Sequence, residues 1–223
     1  MTQHLQRELA KLKRKILSLC AMAEESLQMA VKALETRDSK LAKEVIERDY
    51  SIDQEEVEVE EECLKLLALH QPVAIDLRFI VAVLKINSDL ERIGDLSAHI
   101  AERALVLQKS TYIPSPINLA EMADKVKVML EASLDSLVNM DTDLARKVLT
   151  MDDHVDETYR RMYEAVIKKI QENSEEVVVY LNLLSVSRQL ERIADHVTNI
   201  CEDIIYMADG EIIRHQRPNA VVL

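Results

Sequence analysis

An internal repeat constrains this chain more than any other feature of its 223 residues. The segment LERIGD at residues 90–95 returns one hundred positions later as LERIAD at residues 190–195. Nearer the N-terminus, the pattern DxxLAxxV at residues 38–45 recurs at residues 141–148. A sequence that repeats at a fixed spacing builds copies of one structural unit. We therefore expect two similar units in tandem, each of about 100 residues.

Composition and hydrophobic periodicity predict that both units are helical. The sequence holds two glycines and four prolines, and aromatic residues make up 3% of it, so few turns and strands are expected. Apolar residues between Leu5 and Leu34 recur at alternating steps of four and three, which is typical of an amphipathic helix. Three long helices joined by short turns bury their apolar faces most simply as an antiparallel up-down-up bundle. The predicted fold is all-α, with six long helices in two tandem three-helix bundles.

Capping residues and prolines set the predicted boundaries. Asp38 or Ser39 is the expected N-cap of the second helix, and Asp141 is the expected N-cap of the equivalent helix in the second half. Pro72 separates the second helix from the third, because proline ends a helix that precedes it. The predicted organisation is a first bundle at residues 1–110, a linker at 111–117, a second bundle at 118–210 and a C-terminal tail at 211–223.

Charge and composition exclude several classes of function. The formal net charge of -12 opposes binding to nucleic acid phosphates and to anionic lipid headgroups. Two glycines are too few for a phosphate-binding loop or a dinucleotide fingerprint. No apolar run approaches the roughly 20 residues that span a bilayer, and three cysteines without CxxC spacing indicate neither a disulfide framework nor a zinc site. We expect a cytoplasmic protein without direct membrane insertion.

Each half carries two acidic pairs whose members stand four residues apart. They are Asp49 with Asp53 and Glu91 with Asp95 in the first half, and Asp152 with Asp156 and Glu191 with Asp195 in the second. Facing residues in two antiparallel helices have positions that add up to a constant. Pairing the acids in this way places the turns at Pro72 and between Asn173 and Ser174, where the sequence independently predicts turns. The four carboxylates of each half should therefore lie level with one another.

Converging carboxylates predict a cation site in each half. Close like charges raise the pKa of each carboxyl and oppose packing unless a cation lies among them. Ligation by oxygen alone suits Mg²⁺, Ca²⁺ or Mn²⁺, and iron also binds carboxylates. Weaker candidates on the third helix of each half are His99, Glu102, Asn199 and Glu202.

Other interpretations of these acids are open at this point. The carboxylates can instead pair with Arg48, Arg92 and Arg192 or face water, which leaves a metal-free helical adaptor. A carboxylate-bridged di-iron oxidase requires Glu-x-x-His on two helices, and no histidine here has glutamate three residues before it. The sequence also lacks a nucleophile with a matching base, so we expect a protein that is not an enzyme.

The repeated LERI(G/A)D segment and the Asp-x-x-x-Asp pairs resemble the PhoU family over essentially the whole chain, most closely at residues 190–203. The resemblance implies two tandem three-helix bundles whose acidic motifs, at the eight positions named above, bind metal clusters. It implies a homodimeric negative regulator of phosphate uptake and of the phosphate-starvation response. The implied partners are the ATPase of a phosphate ABC transporter and a sensor histidine kinase, which would hold the protein at the membrane.

Overall fold

A computed structural model describes residues 3–213, and every regular element in that part of the chain is helical. The helices are α1 Gln3–Thr36, α2 Ser39–His70, α3 Ile75–Gln108, α4 Leu119–Asn139, α5 Thr142–Leu149, α6 Asp152–Glu172 and α7 Val177–Asp209. A short 3₁₀ turn, Ser174–Glu176, leads into α7. The predicted all-α fold is confirmed. Most of the predicted tail, residues 214–223, lies outside the described residues.

One aspartate in each half ends one helix and begins the next. The backbone N–H of Asp38 donates to the Ala33 carbonyl at 3.0 Å, and its carboxylate accepts from the N–H groups of Lys40 and Leu41. Asp141 does the same, donating to the Ser136 carbonyl and accepting from Leu144. These contacts satisfy backbone groups that helix termini leave unpaired. The predicted caps are confirmed, and Asp38 rather than Ser39 is the cap of α2.

The middle helix of the second half is divided, which the sequence did not predict. α5 ends at Leu149, where the Thr150 hydroxyl and the Thr150 N–H both donate to the Lys147 carbonyl. This tight bonding closes the last turn of α5 early. α6 then begins with Asp152 and Asp153, a residue type that favours the first turn of a helix. The equivalent stretch of the first half stays within the continuous helix α2.

The two halves meet through their LERI(G/A)D helices. α3 packs most extensively against α7, α1 contacts α4, and α2 and α6 lie on the flanks. Lys85 pairs with Asp203 and Asp89 with His196, so α3 and α7 run antiparallel. Buried apolar side chains from both halves form one contiguous core. This arrangement leaves the α2–α3 groove and the α6–α7 groove as equivalent sites on the two halves.

Gly94 allows α2 to lie close to α3. A Cβ atom at this position would stand 2.9 Å from Ile52 Cδ1 and 3.2 Å from Asp49 Oδ1. The second half has Ala194 and Val155 at the equivalent positions. Compared with the first half, the second half has one more side-chain carbon at Ala194 and one fewer at Val155. The two positions together therefore carry the same number of side-chain carbons in both halves.

No helix among residues 3–213 combines the length and the apolar character needed to cross a bilayer. Cys20, Cys63 and Cys201 are free thiols in the core, and burial raises the pKa of each to about 12. They therefore act as small apolar core residues.

Candidate metal centres

The first candidate centre lies between α2 and α3. Asp49 and Asp53 stand one helical turn apart on α2, and Asp95 comes from α3. One carboxylate oxygen from each lies within 4.8 Å of the other two. The missing side chain of Gly94 leaves room for the Asp49 carboxylate against α3. Three carboxylates from two helices therefore converge on one small volume.

The second centre repeats this arrangement between α6 and α7. Asp152 and Asp156 lie on the first two turns of α6, and Asp195 comes from α7. Their oxygens likewise lie within 4.8 Å of one another. Asp152 belongs to the group although it directly follows the break between α5 and α6. The same three positions of the repeat thus converge in both halves.

In both centres the same oxygen atom is buried without a hydrogen-bond partner. The atoms are Asp49 Oδ1 and Asp152 Oδ1, which occupy equivalent positions in the repeat. A buried carboxylate oxygen without a donor carries a desolvation penalty that folded proteins rarely leave uncompensated. The recurrence of this feature in both copies of the motif makes the atom a candidate cation ligand.

The electrostatics of the two centres agree with this interpretation. Burial, followed by the charges of Asp53 and Asp95, raises the pKa of Asp49 from 3.8 to about 6. Burial and the neighbouring acids, Asp156 first, raise the pKa of Asp152 from 3.8 to about 6. Burial and the charge of Asp156 also raise the pKa of Asp195. The ionised form of each centre is therefore unfavourable without a counter-ion.

The two predicted glutamates lie beside the centres rather than within them. Neither Glu91 nor Glu191 contributes an oxygen to the groups of three. The aspartates of the centres nevertheless affect both glutamates. Burial and then the charge of Asp95 raise the pKa of Glu91, and burial and then the charge of Asp195 raise the pKa of Glu191. Both are half-buried.

The four weaker candidates have different surroundings. His99 is exposed, and its charge opposes the rise in the pKa of Asp49. Glu102 is exposed and pairs with Arg103 at 3.7 Å. Asn199 donates to Asp89 Oδ1 at 3.2 Å, and Glu202 borders a small cavity with Lys85. The structure brings none of the four into the two groups of carboxylates.

The neighbouring arginines neutralise the acids only in part. Arg92 Nη1 donates to Asp95 Oδ2 at 2.7 Å, and Arg92 Nε lies 3.2 Å from Glu91 Oε2. Arg48 instead pairs with Glu25 at 2.6 Å, away from the centres. Within residues 3–213, Arg192 forms no ion pair with Asp195. Salt bridges therefore neutralise part of the negative charge of Glu91 and Asp95 in the first centre. They do not supply a partner for the buried oxygens of Asp49 and Asp152.

The donor set fits a hard cation. All the converging atoms are carboxylate oxygens, and no cysteine or histidine joins them. Oxygen ligands of this kind suit Mg²⁺, Ca²⁺, Mn²⁺ or iron. The unpartnered oxygens of Asp49 and Asp152 supply ligand atoms that a cation would satisfy directly. On both counts the residues present fit a bound metal ion.

A polar contact between the halves was not predicted from the sequence. His196 Nδ1 lies 2.8 Å from Asp89 Oδ1, which also accepts the hydrogen bond from Asn199. Lys85 meets the buried Asp203 at 3.1 Å. The repeat gives no signal for these contacts, because Asp89 corresponds to Gln189 and His196 to Leu96. They fix the register of α3 against α7 and thereby the relative position of the two centres.

Comparison with known proteins identifies the family. The family model "PhoU domain" matches residues 16–104 and 119–204, once in each half. The phosphate-specific transport system accessory protein PhoU homolog of Aquifex aeolicus is 39% identical, over 94% of this chain and 95% of its own. The crystal structure of PhoU from Pseudomonas aeruginosa superposes with a TM-score of 0.88 at 35% identity, covering 92% of this chain and 99% of that chain.

The crystal structure of the phosphate transport system regulatory protein PhoU from Streptococcus pneumoniae is similarly close, with a TM-score of 0.85 at 30% identity. It covers 93% of this chain and 98% of that chain. Sequence and fold thus agree over nearly the full length, in both copies of the repeat. The chain belongs to the PhoU family.

Proposed function

We propose that the chain is a regulatory accessory protein of phosphate-specific transport that holds a hard cation in each carboxylate centre. One observation carries the proposal for the cations. The same buried carboxylate oxygen, on Asp49 and on Asp152, lacks a hydrogen-bond donor in both copies of the repeat. The transport role is supported by the names of relatives that share most of the chain's length.

The residues of each centre have distinct tasks in this proposal. Asp49, Asp53 and Asp95 would hold one cation, and the equivalent residues Asp152, Asp156 and Asp195 would hold the other. When bound, the ion supplies positive charge that stabilises the ionised carboxylates and retains open positions for further ligands. Glu91 and Glu191 lie beside the two centres and would add negative charge next to the bound ions.

The open positions of the ions make each centre a docking surface for acidic or phosphate-bearing groups of a partner. By family resemblance, the partners are the ATPase of a phosphate ABC transporter and a sensor histidine kinase. The chain would act as a homodimer in the cytoplasm and reach the membrane through these partners, as a negative regulator of phosphate uptake and of the phosphate-starvation response. The acidic surface supports association through partners rather than through lipid.

Elemental analysis of protein purified without chelator tests the cation sites. We expect stoichiometric iron, manganese or another hard cation in the wild type and its loss in the double variant Asp95→Ala/Asp195→Ala. The matched control is Glu47→Ala/Glu164→Ala, which removes one exposed acid from α2 and one from α6 and should leave the metal content unchanged. Absence of metal from the wild type, even after incubation with Mn²⁺, would favour a metal-free helical adaptor.

The docking role has a separate test. In a pull-down with the sensor kinase or the transporter ATPase, metal-loaded protein should bind more tightly than protein treated with chelator. The double variant should match the chelator-treated wild type under both conditions. Equal affinity of all forms would contradict docking through the centres, whatever their metal content.

A further inference from the structure

The repeat places an arginine beside each centre, but the two arginines behave differently. Arg92 spans two carboxylates of the first centre, with Nη1 at 2.7 Å from Asp95 Oδ2 and Nε at 3.2 Å from Glu91 Oε2. Arg192 holds the equivalent position beside the second centre. Among the described residues it forms no ion pair with Asp195 or Glu191. Arg92 is therefore in direct ion pairs with two carboxylates of the first centre, whereas Arg192 acts on Asp195 and Glu191 only through its charge at longer range.

Arg92 stands in competition with a cation for the same oxygen atoms. A carboxylate oxygen that accepts a charge-assisted hydrogen bond is less available as a metal ligand. The guanidinium charge also repels any cation that enters the group. The Arg92 side chain is 52% exposed, so it can swing into solvent when Asp95 is needed as a ligand. A cation that binds at the first centre must displace Arg92 from its ion pairs, whereas a cation that binds at the second centre displaces no paired side chain.

A second difference between the centres acts in the same direction. Asp153 follows Asp152 directly in the chain and adds a fifth acid near the second centre, where the first half has Tyr50. The charge of Arg188 lowers the pKa of Glu191, but the two side chains form no ion pair within residues 3–213. The positive charges at the second centre thus act at a distance, and among the described residues no ion pair engages a carboxylate oxygen of the group of three.

We propose that Arg92 makes the first centre the weaker of the two, so that cations fill the second centre first. The inference rests on the proposed function, that the centres bind cations, and adds the order of filling and the residue that sets it. Arg92 is a positioning residue in this scheme, because it acts on Asp95 and Glu91. Filling of the first centre releases its guanidinium to the surface of α3, which gives the chain two steps of response to cation concentration.

Single-centre variants separate the two affinities. Asp195→Ala leaves the first centre intact, and Asp95→Ala leaves the second intact. Titration of each full-length, chelator-treated variant with Mn²⁺ should show about fivefold weaker binding at the first centre, the factor that one half-exposed ion pair contributes to an equilibrium constant. Adding Arg92→Gln to the Asp195→Ala chain should remove this difference.

Arg192 provides the matched control. Arg192→Gln in the Asp95→Ala chain removes the same charge without breaking an ion pair, so it should tighten Mn²⁺ binding by a clearly smaller factor. Arg92→Lys keeps the charge but cannot span two carboxylates. It should therefore tighten Mn²⁺ binding at the first centre, but by less than Arg92→Gln does. Melting temperatures in chelator verify that each variant is folded.

The outcomes separate this inference from the proposed function. Equal affinities of the two centres, or equal effects of Arg92→Gln and Arg192→Gln, would overturn the role of Arg92 while leaving the cation sites in place. Failure of both single-centre variants and of the wild type to bind Mn²⁺ would overturn the cation sites themselves, and the order of filling with them.

Discussion

Replacing Asp49 with asparagine should stabilise the cation-free chain at neutral pH. Asp49 Oδ1 is buried without a donor, and burial with the charges of Asp53 and Asp95 raises the pKa from 3.8 to about 6. At 1.36 kcal/mol per pH unit this difference amounts to about 3 kcal/mol for a fully buried group. Because solvent reaches part of the carboxylate, we expect a gain of about 1 to 2 kcal/mol. Asparagine keeps the shape of the side chain and removes its charge.

The sign of the effect fixes its dependence on pH. The folded-state pKa of Asp49 is raised, so protonation of this carboxyl favours the fold. That contribution is fully present below pH 3.8, the ordinary pKa, and is lost as the pH rises through about 6. In chelator, the stability difference between Asp49→Asn and the wild type should be near zero at about pH 4 and should reach its full value by about pH 7.5.

Urea unfolding in chelator measures this difference, and thermal unfolding should show it as about 2 to 8 °C for a chain of this size. Glu47→Gln, an exposed acid on the same helix, is the control and should change stability by less than about 0.5 kcal/mol. Saturating Mn²⁺ should stabilise the wild type by more than the variant, which has lost one centre. A variant less stable than the wild type in chelator at neutral pH would refute the reasoning, because Asp49 would then make favourable contacts without a cation.

Three further predictions concern the fold. Gly94→Ala should destabilise the chain unless Ile52→Val is added, since the new Cβ meets Ile52 Cδ1 at 2.9 Å; the double-mutant cycle should show about 1 kcal/mol of favourable coupling, and additive effects would contradict the packing described. Asp38→Ala should lower the stability by about 1 kcal/mol in urea unfolding, whereas Ser39→Ala should have little effect. The three buried cysteines should react with a thiol reagent only on unfolding, and rapid labelling of the native chain would contradict their burial.

Much of the fold could be predicted from the sequence because helices depend on local patterns. The repeat, the apolar periodicity and the caps at Asp38 and Asp141 are all encoded by neighbouring residues. The division of the middle helix at Thr150 was missed, since no proline or glycine marks it. It depends on a hydroxyl bond to the Lys147 carbonyl, which competes with regular helix bonding and is visible only in three dimensions.

The candidate centres were predictable in outline but not in detail. The spacing of acids on two antiparallel helices places Asp49, Asp53 and Asp95 level, and the structure brings their oxygens together. Spacing cannot give side-chain rotamers, so it could not separate Glu91, which lies beside the group, from the three aspartates. Contacts between the halves, such as Asp89 with His196, depend on packing that the repeat does not encode.

Anomalous diffraction from crystals grown with Mn²⁺ would test the central claim most directly, because it locates the ion as well as detecting it. The account predicts one or more anomalous peaks in each centre, within about 2.0 to 2.6 Å of carboxylate oxygens, including Oδ1 of Asp49 and Oδ1 of Asp152. Anomalous density confined to other parts of the surface, or absent from both centres at saturating Mn²⁺, would contradict it.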